Sequence, residues 1–440
     1  MRVLWLCNIM LPAIAMELGK EYSVREGWLS GTLDRVILER DETIQLGVCF
    51  PVSIDMKDFQ QKITLGEKEI SCFGFYENLD TPEIYQEALE DRFAEILSVF
   101  QPDIVHIFGT EFPHSLSMAK SFGQPERILV GLQGIISECA KSYMADIPKA
   151  VQQRRTFRDR LKKDSISQQQ EKFRLRGENE IELLSMVGHV TGRTAFDKRA
   201  ALSINENLTY HQMNETMRSV FYEDQWQLDT CIKHKIFFSQ ADYPLKGFHY
   251  LLEALPEILQ VYPDAQVVVA GNSIMNTCKV KAENNEKVSS MMQKCKQKIK
   301  ISSYGKYLDQ LVKEKNLDTH ISILGRLSAE EMKQEYLSSH TFVCASSLEN
   351  SPNSVAEAML LGVPVIAASV GGVPSMITHG ETGILYHGGK KRELSEAVIE
   401  LWGDGEKAYL LSKNARAQAL QAHNSEANYE RLLEIYQLIG

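Results

Sequence analysis

An α/β chain of two doubly wound, parallel-sheet halves is what this sequence predicts, and three observations predict it. Short apolar runs alternate with segments of helical period along most of the chain. The runs are continuously apolar, as strands covered on both faces must be. The alternation restarts after Asp229, and 440 residues are about three times a typical domain of roughly 150 residues, so two halves are expected.

In the first half the strands are expected at Val3–Cys7, Ile44–Phe50, Ile70–Tyr76, Ile104–Phe108, Ile128–Leu132 and Met186–Thr191. Pro82–Phe100 between them places Ile84, Ala88, Phe93, Ile96 and Leu97 on one helical face. The second half gives strands at Ile232–Ser239, Gln266–Ala270, Ile321–Leu324, Phe342–Ala345, Pro364–Ala368 and Gly383–Tyr386. Helices are expected at Gly247–Val261, Glu330–Ser338, Ser354–Leu361 and Glu393–Trp402, and a last amphipathic helix at Glu426–Leu438.

Two stretches break the alternation. Asn272–Asn316 reads as a lysine-rich helical insertion. Residues 149–180, in the first half, carry ten Lys or Arg against five acids, a local +5 in a chain of net charge −10. Val151, Phe157 and Leu161 lie among those charges at roughly helical spacing. The stretch reads either as a basic surface for an anionic membrane or as solvated helices covering the first half.

Composition excludes several classes. A 44% hydrophobic and 24% charged chain is neither disordered nor collagen-like, and the acidic balance argues against a nucleic-acid partner. Eight cysteines show no CxxC and no framework spacing, which reads as reduced, buried thiols of a cytoplasmic protein. Met1–Cys7 is too short for a signal-peptide core and reads as a first strand. Ala358–Thr378 is long enough for a membrane span, but Gly362, Pro364, Gly371, Gly372 and Pro374 break it into helix, strand and loop.

Ligands of open α/β sheets bind outside the carboxyl ends of the strands, so the residues after each strand are the ones to read. After Phe342–Ala345 comes Ser346-Ser347-Leu348-Glu349-Asn350-Ser351-Pro352-Asn353-Ser354-Val355-Ala356-Glu357. A helix starting near Ser354, with Glu357 three residues on, suggests a capping box. Its exposed N–H groups suit a phosphate. Two carboxylates eight residues apart then bracket an anion-ready helix start, which suits a nucleotide-sugar. The plain alternative is a capping Glu357 and a solvated Glu349.

Here the sequence resembles a known family. Glu349 to Glu357 matches the E-x7-E signature of the retaining glycosyltransferases of family 4, and the following EAM-x2-G-x-PVIA-x3-GG-x-P run is similar to theirs almost without gaps. Pro244-Leu245-Lys246-Gly247 resembles their Lys-Gly element, and Gly325-Arg326 their glycine turn beside the nucleobase. The resemblance implies the GT-B architecture: an acceptor-side Rossmann-like domain over 1–228, a donor-binding one over 229–424, and a C-terminal helix over 425–440 that crosses back. It assigns Glu357 to the ribose, Glu349 to the donor sugar and Lys246 to the diphosphate, with the backbone of Asn353, Ser354 and Val355. The expected donor is a nucleoside diphosphate sugar, a UDP-sugar first, used without a metal, since a helix start and a lysine neutralise the leaving diphosphate. The expected acceptor is a glycan or glycolipid of the cell surface, which puts the enzyme in the cytoplasm, peripherally at the inner membrane face. A nucleotide-sugar epimerase, a soluble disaccharide synthase and a non-catalytic nucleotide-sugar binder are the alternatives.

The departures are specific. The family often places Arg before the Lys-Gly pair, where this chain has Ser239-Gln240. Arg193 is the candidate to replace it from the first half, unless it serves a structural ion pair. The family often has His after the strand Ile128–Leu132, where this chain has Gln133-Gly134. Glutamine cannot act as an acid or base near neutral pH, so Gln133 is expected to position the acceptor. His106, within a strand, reads as a core histidine. Glu111 reads as an acceptor-hydroxyl contact, and Tyr210–Glu215 as polar lining without an assigned role.

Overall fold

The apolar runs become strands of two sheets. The computed structural model describes residues 1–21, 27–39, 43–272, 275, 279–280 and 301–440. The first sheet holds β1 (Arg2–Leu6), β2 (Gln45–Pro51), β3 (Gln60–Leu65), β4 (Lys68–Phe75), β5 (Ile104–Phe108), β6 (Ile128–Gly131), β7 (His189–Gly192) and β8 (Thr209–Gln212). Their order is β3-β4-β2-β1-β5-β6-β7-β8. All neighbours are parallel except β3 and β4. Trp5 pairs with Val48 on one side and His106 on the other, and all three are fully buried. Central position explains why these strands lack polar alternation.

The second sheet holds β9 (Ile232–Phe238), β10 (Gln266–Ala270), β11 (Lys279–Val280), β12 (Ile321–Gly325), β13 (Ser339–Cys344), β14 (Val365–Ala368) and β15 (Ile384–Tyr386). It is parallel throughout, in the order β11-β12-β10-β9-β13-β14-β15. In each sheet the chain builds outward from one central strand and then reverses. The reversal falls between β1 and β5 in the first sheet and between β9 and β13 in the second. These are topological switch points, where doubly wound folds leave a crevice.

The chain divides into two compact units. Unit 1 comprises Met1–Ala140, Lys172–Ser219 and Ala422–Gly440, and unit 2 comprises Lys141–Glu171 and Val220–Gln421. Residues 141–171 thus fall in unit 2, and the basic segment 149–180, which chain order places in the first half, is divided after Glu171. Hydrogen bonds account for it. His249 Nε2 donates to the Ala145 carbonyl at 2.8 Å, Tyr250 Oη donates to Asp146 at 3.0 Å, and Ser303 N–H donates to Asp159 at 3.0 Å. The last helix, Ser425–Ile439, lies in unit 1, where Tyr436 Oη accepts from Trp5 Nε1 at 2.9 Å and reaches His106 Nδ1 at 2.7 Å.

Differences from the expected elements have simple causes. Strand β3 escapes notice because it is an edge strand with only Ile63 buried, and edges carry charge and polarity. The helix expected from Pro82 begins at Ala88, leaving Ile84 54% exposed. Of the expected insertion Asn272–Asn316, residues 281–300 lie outside the described residues, as do Cys278 and Cys295. Its described end is a helix over Ser303–Glu314 capped by Ser302, whose Oγ accepts from Gly305 N–H at 3.0 Å. Among the described residues no helix is long and apolar enough to cross a membrane.

Candidate active site

The unit 2 switch point is built by two loops that interlock. After β9 the chain makes a short 3-10 turn, Pro244–Lys246. Gly247 follows it at φ +68, and a Cβ there would stand 1.9 Å from the Ala345 carbonyl oxygen. Only glycine satisfies both the left-handed backbone and that approach. Ser347 N–H donates to the Leu245 carbonyl at 2.8 Å, which fixes the loop after β13 against the turn. Gly371, at φ +53, completes the frame: its Cβ would lie 2.0 Å from the Glu349 carbonyl oxygen, and Gly372 N–H donates to that oxygen at 2.9 Å.

This frame brings together two of the predicted residues. Lys246 Nζ lies 2.7 Å from Glu349 Oε1, with the side chains 21% and 14% exposed. Ser346 Oγ donates to the same oxygen at 2.7 Å. Burial pulls the Lys246 ammonium down, but the Glu349 carboxylate, with Tyr243, outweighs it and holds the lysine well above its ordinary value. The result is a cation on a rigid turn, paired with a carboxylate, at the carboxyl end of a parallel sheet. Such a pair can receive an anion on the lysine and hydroxyls on the carboxylate.

Glu357 corrects the expected capping box. The helix starts one residue earlier, over Asn353–Leu360, with Pro352 as N-cap and no side-chain cap. Glu357 is buried on that helix, where Tyr336 Oη donates to it at 3.3 Å and to the Ser354 carbonyl at 2.9 Å. Val355 is corrected too, because its N–H is taken by the Pro352 carbonyl at 2.9 Å. The N–H groups of Asn353 and Ser354 make no hydrogen bond among the described residues, as the first turn of a helix leaves them. Gly325, at φ +82, has open space where a Cβ would stand, and its carbonyl accepts from Gly271 N–H at 2.8 Å. Arg326 is exposed, and its Nε donates to Asn272 Oδ1 at 2.9 Å.

Unit 1 carries polar groups at its own switch point. Asn8 follows β1, and Glu111 and His114 follow β5. Asn8 Nδ2 donates to Glu111 at 3.3 Å, His114 Nε2 lies 2.9 Å from Asn8 Oδ1, and His114 Nδ1 lies 2.6 Å from Glu77. Burial raises the Glu111 carboxyl above its ordinary range. A depression in unit 1 is lined by Gln133, Thr191, Arg193, Met213 and Glu215 among others.

Arg193 resolves toward the ion-pair alternative. Its guanidinium pairs with Glu215, both side chains being 5% exposed, and also donates to the Leu132 carbonyl at 3.1 Å. Gln133 Nε2 donates to Glu215 Oε1 at 2.7 Å. The loop beyond Gln133 is held by a residue no motif marks. Glu180 accepts from Ile136 N–H at 2.9 Å, Ser137 N–H at 3.0 Å, Ser137 Oγ at 2.8 Å and Thr110 Oγ1 at 2.5 Å. An internal carboxylate thus fills the start of the helix Ile136–Ser142. His106 is a core residue, as its strand position suggests, and burial pushes its imidazole down to about 3.

Residues 232–418 match the family described as glycosyl transferases group 1. Spore coat protein SA of Bacillus subtilis is 27% identical over 196 residues, 44% of this chain and 46% of that protein. The GDP-mannose-dependent monoacylated alpha-(1-6)-phosphatidylinositol monomannoside mannosyltransferase of Corynebacterium glutamicum is 25% identical over 201 residues, 44% of each chain. The chain spans a little under half the length of these curated relatives. Among solved structures, sucrose-phosphate synthase from Thermosynechococcus elongatus superposes with a TM-score of 0.68 at 13% identity, over 99% of this chain and 98% of that one. Anabaena HepE in complex with UDP and glucose gives 0.62 at 16% identity, over 99% of both. The chain has the GT-B fold, and residues 232–418, a little under half of it, match the group 1 glycosyl transferases.

Proposed function

We propose that this protein is a retaining glycosyltransferase that moves a sugar from a nucleoside diphosphate, UDP in the first instance, to a glycan or glycolipid acceptor of the cell surface. The observation that carries the reading is the Lys246–Glu349 pair, 2.7 Å apart on two loops that glycines lock at the unit 2 switch point. The family match over 232–418 and the UDP-glucose complex of HepE, a protein of the same fold, support it.

In this reading Lys246 and the N–H groups of Asn353 and Ser354 bind the diphosphate. Glu349 holds hydroxyls of the transferred sugar, Glu357 the ribose, and Gly325 with Arg326 flank the base. The bond from the anomeric carbon to the phosphate oxygen breaks as the acceptor oxygen bonds to that carbon from the same face. The acceptor proton passes to the departing phosphate oxygen, because Gln133 cannot take it. Lys246 stabilises the charge that grows on that oxygen, where a fixed cation contributes most. Gln133, tied to Glu215, orients the acceptor. The peripheral location at an anionic membrane face belongs to the same reading.

Incubation with a panel of UDP-, GDP- and ADP-sugars tests it, with release of nucleotide and the anomeric form of the product read by NMR. Release of UDP with retained configuration is the expected result. Binding without turnover of any donor, or epimer formation without free nucleotide, overturns it.

A further inference from the structure

One helix in the basic segment is built inside out. The helix Phe157–Lys162 opens with a reciprocal cap, in which Asp159 N–H donates to Thr156 Oγ1 at 3.1 Å and Thr156 N–H donates to Asp159 at 2.9 Å. Asp159 is fully buried and also accepts from Ser303 N–H at 3.0 Å. The face turned inward therefore carries a carboxylate. The face turned outward carries Phe157, 67% exposed, and Leu161, 73% exposed, four residues apart and so side by side. Folding alone gives no reason to invert a helix this way, since exposing two large apolar side chains forgoes the burial that stabilises a surface helix.

The charges around them indicate what they face. Arg155, Arg160, Lys162 and Lys163 are all exposed, and among the described residues none of the four has an ion-pair partner. Arg158, by contrast, is neutralised by Asp164 at 2.8 Å. An apolar pair with four exposed cations beside it in the chain, of which Lys162 also feels Asp164, complements an anionic lipid surface, with acyl chains below and phosphates around. A second copy docked face to face would set the same cations against each other.

We propose that Phe157 and Leu161 insert into the interface of an anionic bilayer while Arg155, Arg160, Lys162 and Lys163 engage its headgroup phosphates. This deepens the peripheral location included above by naming the element that makes it, and it places that element in unit 2. The stretch 141–171 that contains this helix is bonded to the donor loops: Ala145 accepts from His249, two residues after Gly247, and Ser142 accepts from Ser347 Oγ at 3.4 Å. A docked membrane surface is thus tied to the frame that holds Lys246 and Glu349.

The test is co-sedimentation of the full chain with vesicles of equal parts phosphatidylglycerol and phosphatidylcholine, against phosphatidylcholine alone. No donor is present, so failure of docking and failure of transfer are separate results. The chain is expected to bind only the anionic vesicles and to leave them at high salt. Arg155→Gln with Lys162→Gln should lower the partition coefficient about 30-fold, at roughly fivefold per cation. Phe157→Ser with Leu161→Ser should lower it by about tenfold or more. Lys390→Gln with Lys413→Gln, an equal charge change elsewhere, should leave it unaltered. All positions are exposed, and unchanged melting temperatures verify folding. No binding by the parent chain, or equal binding by all three variants, overturns the proposal. So does a dimer that dissolves in the Phe157/Leu161 variant while vesicles are ignored.

Discussion

Replacing Glu349 by glutamine puts the division of labour at the donor site to a quantitative test. In the free protein Lys246 is not idle, because Glu349 lies 2.7 Å away. At that distance the Coulomb attraction is about 6 kcal/mol at an effective dielectric of 20. Desolvation of the two groups offsets most of it, leaving about 1.5–3 kcal/mol net for a charged hydrogen bond. A diphosphate arriving at Lys246 competes with that carboxylate. Glu349→Gln removes the competitor, so affinity for bare nucleoside diphosphate should stay level or rise by up to about tenfold. The nucleotide-sugar loses its charged partner in the same variant. The ratio of its Kd to that of the bare nucleotide should climb by about ten- to hundredfold. Calorimetric titration with nucleoside, nucleoside diphosphate and nucleotide-sugar reads all three quantities. Loss of bare nucleotide affinity equal to the loss for the nucleotide-sugar refutes the assignment of Glu349 to the sugar.

Three further variants extend the test. Glu357→Gln should weaken nucleotide and nucleotide-sugar alike, and Lys246→Ala should weaken both but not the free nucleoside, each by about ten- to hundredfold in the same titrations. Gly371→Ala, with its Cβ 2.0 Å from the Glu349 carbonyl, should displace the loop and cost donor affinity. Gly380→Ala, left-handed but in open space and outside the assigned site, should cost only about 1–2 kcal/mol of backbone strain; equal donor affinities in the two would contradict the frame. His106 sets a pH dependence. Burial holds its folded pKa near 3 while the unfolded chain titrates near 6.5, so the unfolded state gains a proton first as pH falls. Stability is full above 6.5 and declines on acidification, by about 2 kcal/mol at pH 5. Melting temperatures of His106→Gln against the parent across pH 7 to 5 should show a shallower fall in the variant.

The central strands were legible because burial on both faces leaves an apolar run no choice of phase. Ile104–Phe108 and Gln266–Ala270 appear at the expected residues. Strands β3 and β8 were not, since an edge strand such as Thr209–Gln212, with only His211 buried, has no apolar signature to read. The start of the helix at Asn353 shows a different limit. Ser354 and Glu357 have the spacing of a capping box, but Pro352 supplies the N-cap position and Tyr336 claims Glu357. Local spacing cannot register a tyrosine that arrives from a neighbouring helix.

Long-range partners are also what decides the site. Lys246 and Glu349 stand 103 residues apart in sequence, and the family motifs marked each without indicating that they touch. Arg193 and Glu215 are 22 apart, and the sequence left a structural ion pair open for the arginine without marking Glu215 as its partner. The two switch points then differ in kind. In unit 1, Glu77, His114 and Asn8 are buried at 4%, 0% and 4% exposure, a buried polar chain that ends at Glu111 and leaves Glu77 Oε1 without a partner among the described residues. In unit 2, the Lys246–Glu349 pair keeps part of both side chains open to solvent. A buried chain resists exchange of its partners, because each donor removed strands a further buried acceptor at about 1–3 kcal/mol. A partly exposed ion pair can trade one partner for a ligand, because the incoming anion replaces the carboxylate on the lysine and the released carboxylate is rehydrated. By that criterion the exchangeable charges lie at the β9/β13 crevice, while the buried chain in unit 1 sets the position of Glu111.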